Sequence, residues 1–327
     1  MTRIDDTPNP TRRRLLTAAA LMACGGLHAQ PASNVARIIV PFAAGGAREM
    51  PARIIQQELG KETGLNWIIE SKPGAGGAIG TVYVGQAAPD GMTLLMAASS
   101  HFVTAAMGPK PHYDAVKDFV PVANIGDQNY VLIVQAGMRV NSAAELIALA
   151  RKQPGGLNYG SAGVASSTHL AAAYFCGMAG IQMVHVPFKS TQEAANDVVG
   201  GRIHAVFVPT AGAGPYLAEP RVKVIGITAP KRSALLPNVP AIAESGLKGY
   251  EFESWFGLLA PGKTPPAVVA KLNAAVNKVL GTKEIKDKLV NFGIEPKPLS
   301  PTEFNKLFLA DRDLMARIVK ESGITRE

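Results

Sequence analysis

The segment Gly160-Ser161-Ala162-Gly163-Val164-Ala165-Ser166-Ser167-Thr168-His169 is the richest stretch of the chain for chemistry. It follows a short apolar run ending at Tyr159 and opens a helical pattern. Ser161, Gly163, Ser166, Ser167 and Thr168 therefore stand where hydroxyls and backbone N–H groups converge on an anion. A nucleophile is the competing reading. The spacing Gly160-Ser161-Ala162-Gly163 lacks the G-x-S-x-G elbow, and a serine hydrolase also needs a histidine and an acid placed by the fold. His169 reads as a helix-start residue bonded to the loop rather than as a general base.

Two glycine loops add to this. Pro41-Phe42-Ala43-Ala44-Gly45-Gly46-Ala47 lies between a strand and a helix, which suits close approach of an anion to backbone amides and suits a plain turn equally well. Pro73-Gly74-Ala75-Gly76-Gly77-Ala78-Ile79-Gly80 resembles a stretched dinucleotide fingerprint. The strict spacing fails at Ile79, however, and Asp90 comes too early to serve a ribose. Lys189, after the strand Met183–Val186, reads as an anion contact or a solvated lysine. Ser254-Trp255-Phe256-Gly257 reads as a loop whose aromatics floor a pocket or cap a core. The histidines 101, 112, 169, 185 and 204 show no metal-ligand spacing, so neither a metal nor a cofactor is expected. Cys176, in an apolar helical patch, reads as a small buried hydrophobe.

Positioning these loops requires alternating strands and helices. Strands are expected at 37–40, 67–70, 93–97, 131–134, 157–159, 183–186, 205–208 and 222–228. Helices are expected at 51–60, 82–88, 143–152, 168–178, 191–200, 266–280, 283–292 and 301–322. The strand runs are continuously apolar, which predicts parallel sheets covered on both faces. The chain has 327 residues, 47% hydrophobic and 18% charged, with 33 Gly and 24 Pro, enough for two ordinary domains and too apolar for disorder. A net charge of +8 favours anionic partners. With only 6% aromatic residues, a single-strand nucleic-acid binder is not indicated.

Residues 1–29 have the three-part form of an export signal: a polar start, Arg12-Arg13-Arg14 before Leu15-Leu16, an apolar run to about Leu27, and cleavage after Ala29. The paired arginines favour the twin-arginine route, with the general secretory route open. Leu21-Met22-Ala23-Cys24 is an imperfect lipobox, so a lipid tether at Cys24 is the less favoured mature form. After cleavage Cys176 is left without a partner, and no intramolecular disulfide forms.

Taken in order, Val40–Gly46, Pro73–Gly77, Ala88–Leu95, Leu157–Ser161, His185–Lys189 and Trp255–Pro261 resemble the Bug-type periplasmic solute receptors, the receptor family of tripartite tricarboxylate transporters. The resemblance implies an α/β type II periplasmic-binding-protein fold with two lobes, a hinge and an interlobe ligand cleft. The lobes would be residues 34–128 with 250–327, and residues 129–249. It also implies a monomeric, periplasmic receptor without catalytic activity, which hands a small organic carboxylate to membrane permease subunits. The loops Phe42, Ala43, Ala44, Gly45, Gly46, Ala47 and Ser161–Thr168 would act as pincers, with Ser99, His169, Lys189 and Trp255 completing the site. Arg48 and Val208 depart from the family pattern, which commonly has an acidic residue after the glycine loop and after the strand at Phe207. Arg48 is thus a second carboxylate clamp if it points inward, and an amino-acid ligand is disfavoured. The rival functions are a solute sensor acting on a signalling partner and an exported serine hydrolase using Ser161.

Overall fold

The computed structural model describes residues 34–42, 44, 48–106, 113–233 and 236–322; residues 1–29, expected to be an export signal, with Cys24, and His112 lie outside them. Eleven strands form two sheets among the described residues. The strands are β1 (Val35–Val40), β2 (Asn66–Ser71), β3 (Thr93–Ala98), β4 (Phe119–Gln128), β5 (Tyr130–Gln135), β6 (Asn158–Ser161), β7 (Val184–Pro187), β8 (Ala205–Pro209), β9 (Val222–Ile227), β10 (Ser254–Pro261) and β11 (Glu295–Pro296). The helices are α1 (Met50–Thr63), α2 (Ala78–Gly85), α3 (Ser100–Ala106), α4 (Ala143–Lys152), α5 (Ser167–Ala179), α6 (Thr191–Val199), α7 (Gly214–Leu217), α8 (Pro266–Gly281), α9 (Lys283–Asn291) and α10 (Pro301–Ser322).

The first sheet has the order β11-β4-β10-β3-β1-β2 and the second β7-β6-β8-β5-β9. The inner strands bury both faces, while β2, β7 and β11 at the sheet edges stay partly exposed. In β1, Ala36, Ile38 and Val40 enter one core, shared with α1, α8 and α9, while Ile39 enters another. In β5, Val131 and Ile133 face the core that contains Ala194 and Val198 of α6, whereas Leu132 and Val134 face the opposite one. This double burial is why the strands read as unbroken apolar runs.

The all-parallel expectation is corrected. β1, β2 and β3 run parallel, as do β6, β7 and β8, but β4, β10 and β11 are antiparallel neighbours and β5 is antiparallel to both β8 and β9. The reason is the route of the chain. It passes from the first sheet to the second through the single residue Asn129, so β4 and β5 reach their sheets from the side opposite to the βα units. It returns between Ile227 and Ser254.

The two crossings are pinned side by side. Thr228 N–H donates to the Tyr130 carbonyl at 2.8 Å, Tyr130 N–H donates to Thr228 Oγ1 at 2.9 Å, and Phe252 N–H donates to the Thr228 carbonyl at 3.1 Å. α10 packs on α3 and β4 of one half and on α5 of the other, where Arg317 donates to the Tyr174 hydroxyl at 3.2 Å. Among the described residues, no helix is long and apolar enough to cross a membrane.

Candidate functional site

The first loop leaves β1 at Val40 and reaches α1 at Met50. Its base is fixed by close packing: a Cβ on Gly80 would lie 2.9 Å from both the Pro41 Cα and the Lys72 carbonyl oxygen, and one on Gly77 would lie 3.0 Å from the Phe42 ring. The glycines that imitate a dinucleotide fingerprint thus let α2 approach the underside of this loop. Phe42 is half-buried, and the Arg48 guanidinium lies over its ring at 4.0 Å from the centroid. Arg48 Nη1 donates to Ser100 Oγ at 2.5 Å. Burial lowers the Arg48 pKa to about 10, so the group stays cationic at neutral pH. Ala44 is an exposed turn residue; Ala43, Gly45, Gly46 and Ala47 lie outside the described residues.

The second loop joins β6 to α5 and consumes most of its own donors. Ala162 N–H donates to Thr168 Oγ1 (3.0 Å), Gly163 N–H to Ser161 Oγ (3.1 Å), Ala165 N–H to His169 Nδ1 (3.1 Å) and Ser166 N–H to the Gly163 carbonyl (3.2 Å). Ser166 is the N-cap, its Oγ accepting His169 N–H at 3.2 Å. The Ser167 and Thr168 amides stand in the first turn of α5, at the positive end of the helix dipole, with no acceptor among the described residues. The anion-binding capacity of the loop is therefore concentrated at the start of α5.

The strand crossing brings these loops together. The Tyr130 hydroxyl donates to Gln128 Oε1 at 3.3 Å and is hydrogen-bonded with the Ser167 and Ser254 hydroxyls. Ser167 and Ser254 are themselves 3.4 Å apart. The Arg48 charge acts on the same Tyr130 hydroxyl, whose pKa burial raises. Tyr130, Ser167 and Ser254 thus form a polar cluster drawn from both sheets, with the Arg48 charge reaching the phenol from the β1–α1 loop. Sequence reading missed Tyr130, Ser100 and Ser254. The polar break at Asp127-Gln128-Asn129 between two apolar runs was the available sign of a crossing.

Other expected residues lie elsewhere. Ser99 is fully buried, accepts Trp255 N–H at 3.3 Å and is hydrogen-bonded to Asp311. Ser254-Trp255-Phe256-Gly257 is corrected from a loop to the first half of β10. Trp255 caps a core beneath α10, its ring edge-on to Phe304 and its Nε1–H donating to Asp311 Oδ2 at 2.8 Å. Val208 points into the core on the α6 side of the second sheet. Lys189 is exposed, with its backbone N–H bonded to Glu193. His169 is buried and stacked on His185 at 3.8 Å, and burial lowers its pKa to about 3.

Ser161 Oγ lies 2.6 Å from His185 Nε2, the contact a nucleophile needs. Yet Ser161 has no exposed surface and also faces the Gly163 carbonyl, so it is out of reach of a substrate carbonyl. Its contact with His185 braces the loop. Among the described residues, no cluster of His, Cys, Asp or Glu could hold a metal ion.

Two loops after parallel strands, one on each sheet, with the chain crossing twice between the sheets, suit a solute-binding protein, and known proteins agree. The sequence model described as "Tripartite tricarboxylate transporter family receptor" matches residues 51–324. The chain belongs to this receptor family. A relative encoded in the tcbD–tcbE intergenic region of Pseudomonas sp. strain P51 is 33% identical over 97% of this chain and 96% of its own. Rpa4515 of R. palustris, solved with adipate, is 32% identical with a TM-score of 0.75 over 89% of this chain and 97% of its own. MatC of Rhodopseudomonas palustris, with bound malate, is 30% identical with a TM-score of 0.73 over 87% and 98%. The family, with BugD and a TctC protein of Polaromonas among its solved members, is one of periplasmic-type solute-binding receptors rather than enzymes.

Proposed function

We propose that this receptor captures a small organic carboxylate between the β1–α1 loop and the start of α5, and delivers it to the membrane subunits of a tripartite tricarboxylate transporter. The observation that carries the reading is the polar cluster at the crossing, where the Ser167 hydroxyl at the start of α5 meets Ser254 of the other sheet and the Tyr130 phenol, itself within the field of Arg48. Residues 34–128 with 250–327 would form one lobe and residues 129–249 the other, closing about Asn129 and Thr228. The ligand-contacting set is then Phe42 to Arg48 and Ser166 to Thr168, with Tyr130 between them. Ser161, Gly163 and His169 shape the second loop. The chain would work as a monomer in the periplasm, exported by residues 1–29.

The relatives with adipate and malate support a carboxylate, and the excess of basic side chains would speed its capture. Charge-assisted hydrogen bonds from two sides, less the cost of closure, correspond to a Kd on the order of micromolar. The test is a thermal-shift and calorimetric screen of residues 30–327 against mono- and dicarboxylates and amino acids. A saturable shift with a carboxylate that is recovered unchanged supports the proposal. Tight binding of an amino acid with weak binding of its deaminated analogue overturns it.

A further inference from the structure

α5 rests on β6 and β8 of the second sheet, but its middle is gripped from outside that sheet. The Tyr250 hydroxyl, on the chain returning toward β10, donates to the Ala171 carbonyl at 2.8 Å, and the Tyr250 ring stacks on Tyr174 at 5.4 Å. Arg317 of α10 reaches the same place. It donates to the Tyr174 hydroxyl at 3.2 Å and lies over the Tyr174 ring at 5.7 Å from the centroid. Ala171 and Tyr174 stand about one and two turns beyond Ser167.

α10 can transmit position because its first half is anchored elsewhere. Phe304 and Phe308 pack edge-on against Trp255 of β10, while Met315 and Ile318, with no exposed surface, belong to the core that contains Leu170 and Tyr174. Beyond Pro301 the 22-residue helix has neither Gly nor Pro, and so no site for a kink. A cavity of about 310 Å³ separates α10 from the chain between Gly249 and Trp255, with Tyr174, Asp311 and Arg317 in its wall. Close packing is interrupted there, so the hold on α5 falls to a few side chains. Among the described residues Arg317 forms no ion pair, although Glu251 and Asp311 line the same cavity; its guanidinium is committed to Tyr174.

We propose that Tyr250 and Arg317 are positioning residues, which grip the middle of α5 and hold its Ser167–Thr168 end in the binding position before any ligand arrives. The inference rests on the reading above, in which that end contacts the carboxylate, and adds what places it. Two hydrogen-bonded turns of helix move as a unit, so a grip at Ala171 and Tyr174 fixes the donors of the first turn. Once the grip is lost, the end visits other positions and the apparent Kd rises as the competent fraction falls.

The test compares Tyr250→Phe and Arg317→Gln, singly and together, with Val198→Ala, which opens a hole in the separate core beneath α6 and controls for lost stability. Tyr250→Phe keeps the stacked ring and removes the donor. Amide exchange in the ligand-free mature receptor should be about tenfold faster at residues 170–175 in the double variant and unchanged there in Val198→Ala. Calorimetry with malate, adipate and the other carboxylates of the screen should give a Kd about threefold to tenfold weaker in the double variant, partial recovery when Arg317→Lys replaces Arg317→Gln, and no change in Val198→Ala. Natural exchange rates at residues 170–175 in the double variant overturn the grip. Faster exchange with an unchanged Kd overturns the positioning role and leaves the receptor reading standing. Failure of the natural protein to bind any carboxylate of the screen overturns that reading and this inference with it.

Discussion

Asp311 sits beneath Trp255, accepting its Nε1–H at 2.8 Å, and burial, reinforced by the charge of Asp127 and opposed by hydrogen bonds from Trp255 and Ser99, raises its pKa to about 7. An aspartate in the unfolded chain titrates near 3.9. Its contribution to stability is therefore complete below that value and is lost as pH rises through about 7. His101 and His169 act in the opposite sense. Burial lowers them to about 4 and about 3, so what they contribute is complete above about 6.5, the unfolded value, and is lost as pH falls. Asp311→Asn keeps the indole acceptor and removes the charge. The variant's advantage should grow from about pH 4, level off above about pH 7, and there raise the melting temperature by several degrees, roughly 2–4 °C per kcal/mol. Melting curves across that range check this, and a difference independent of pH would show Asp311 ionised throughout. Because both histidines stay neutral, weaker ligand binding in acid should follow the ligand's own pKa and differ from one ligand to another.

Among the elements, β10 is the most constrained. Gly257 lies where an added Cβ would be 2.4 Å from the Phe304 ring of α10 and 2.9 Å from the Ala123 carbonyl of β4. Gly257→Ala therefore forces strand and helix apart and should cost about 1–3 kcal/mol without touching the loops. Chemical denaturation should show that loss with the ligand Kd little changed, and a large change in Kd would mean that β10 helps set the loop positions. The legibility of each element follows from the same packing. β1, β3, β5 and β8 bury both faces in unbroken apolar runs, and α4 and α10 carry clear helical periodicity, so they could be read directly. β4 and β10 could not. Pro121, Asn124, Gly126 and Asp127 interrupt the first, Gly257 and Pro261 the second, and each is held as a strand by partners more than a hundred residues away. The candidate site divides in the same way. Ser166, Ser167 and Thr168 were visible from a local strand-loop-helix pattern, whereas Tyr130, Ser100 and Ser254 meet only because the chain crosses twice.

At the scale of the whole molecule, the proposed closure turns on two short segments that hold each other through Thr228. Saturating ligand should reduce the radius of gyration measured by solution scattering and slow amide exchange at Asn129, Tyr130 and Thr228, while exchange in the centre of β8 stays as it was. An unchanged radius together with saturable binding would confine the response to the loops. The connectivity has a further consequence, in time rather than space. Every strand of the second sheet lies between Tyr130 and Ile227, whereas the first sheet is left without two of its six strands until residues 254–296 arrive. Loop-closure entropy must be overcome before those distant pairings form. The second sheet can therefore assemble early, while β3 and β4 wait with open edges for β10 to slot between them. A chain made from its N-terminus thus keeps its first sheet incomplete until nearly all of it has been synthesised, and only then do the two halves close on each other's edges.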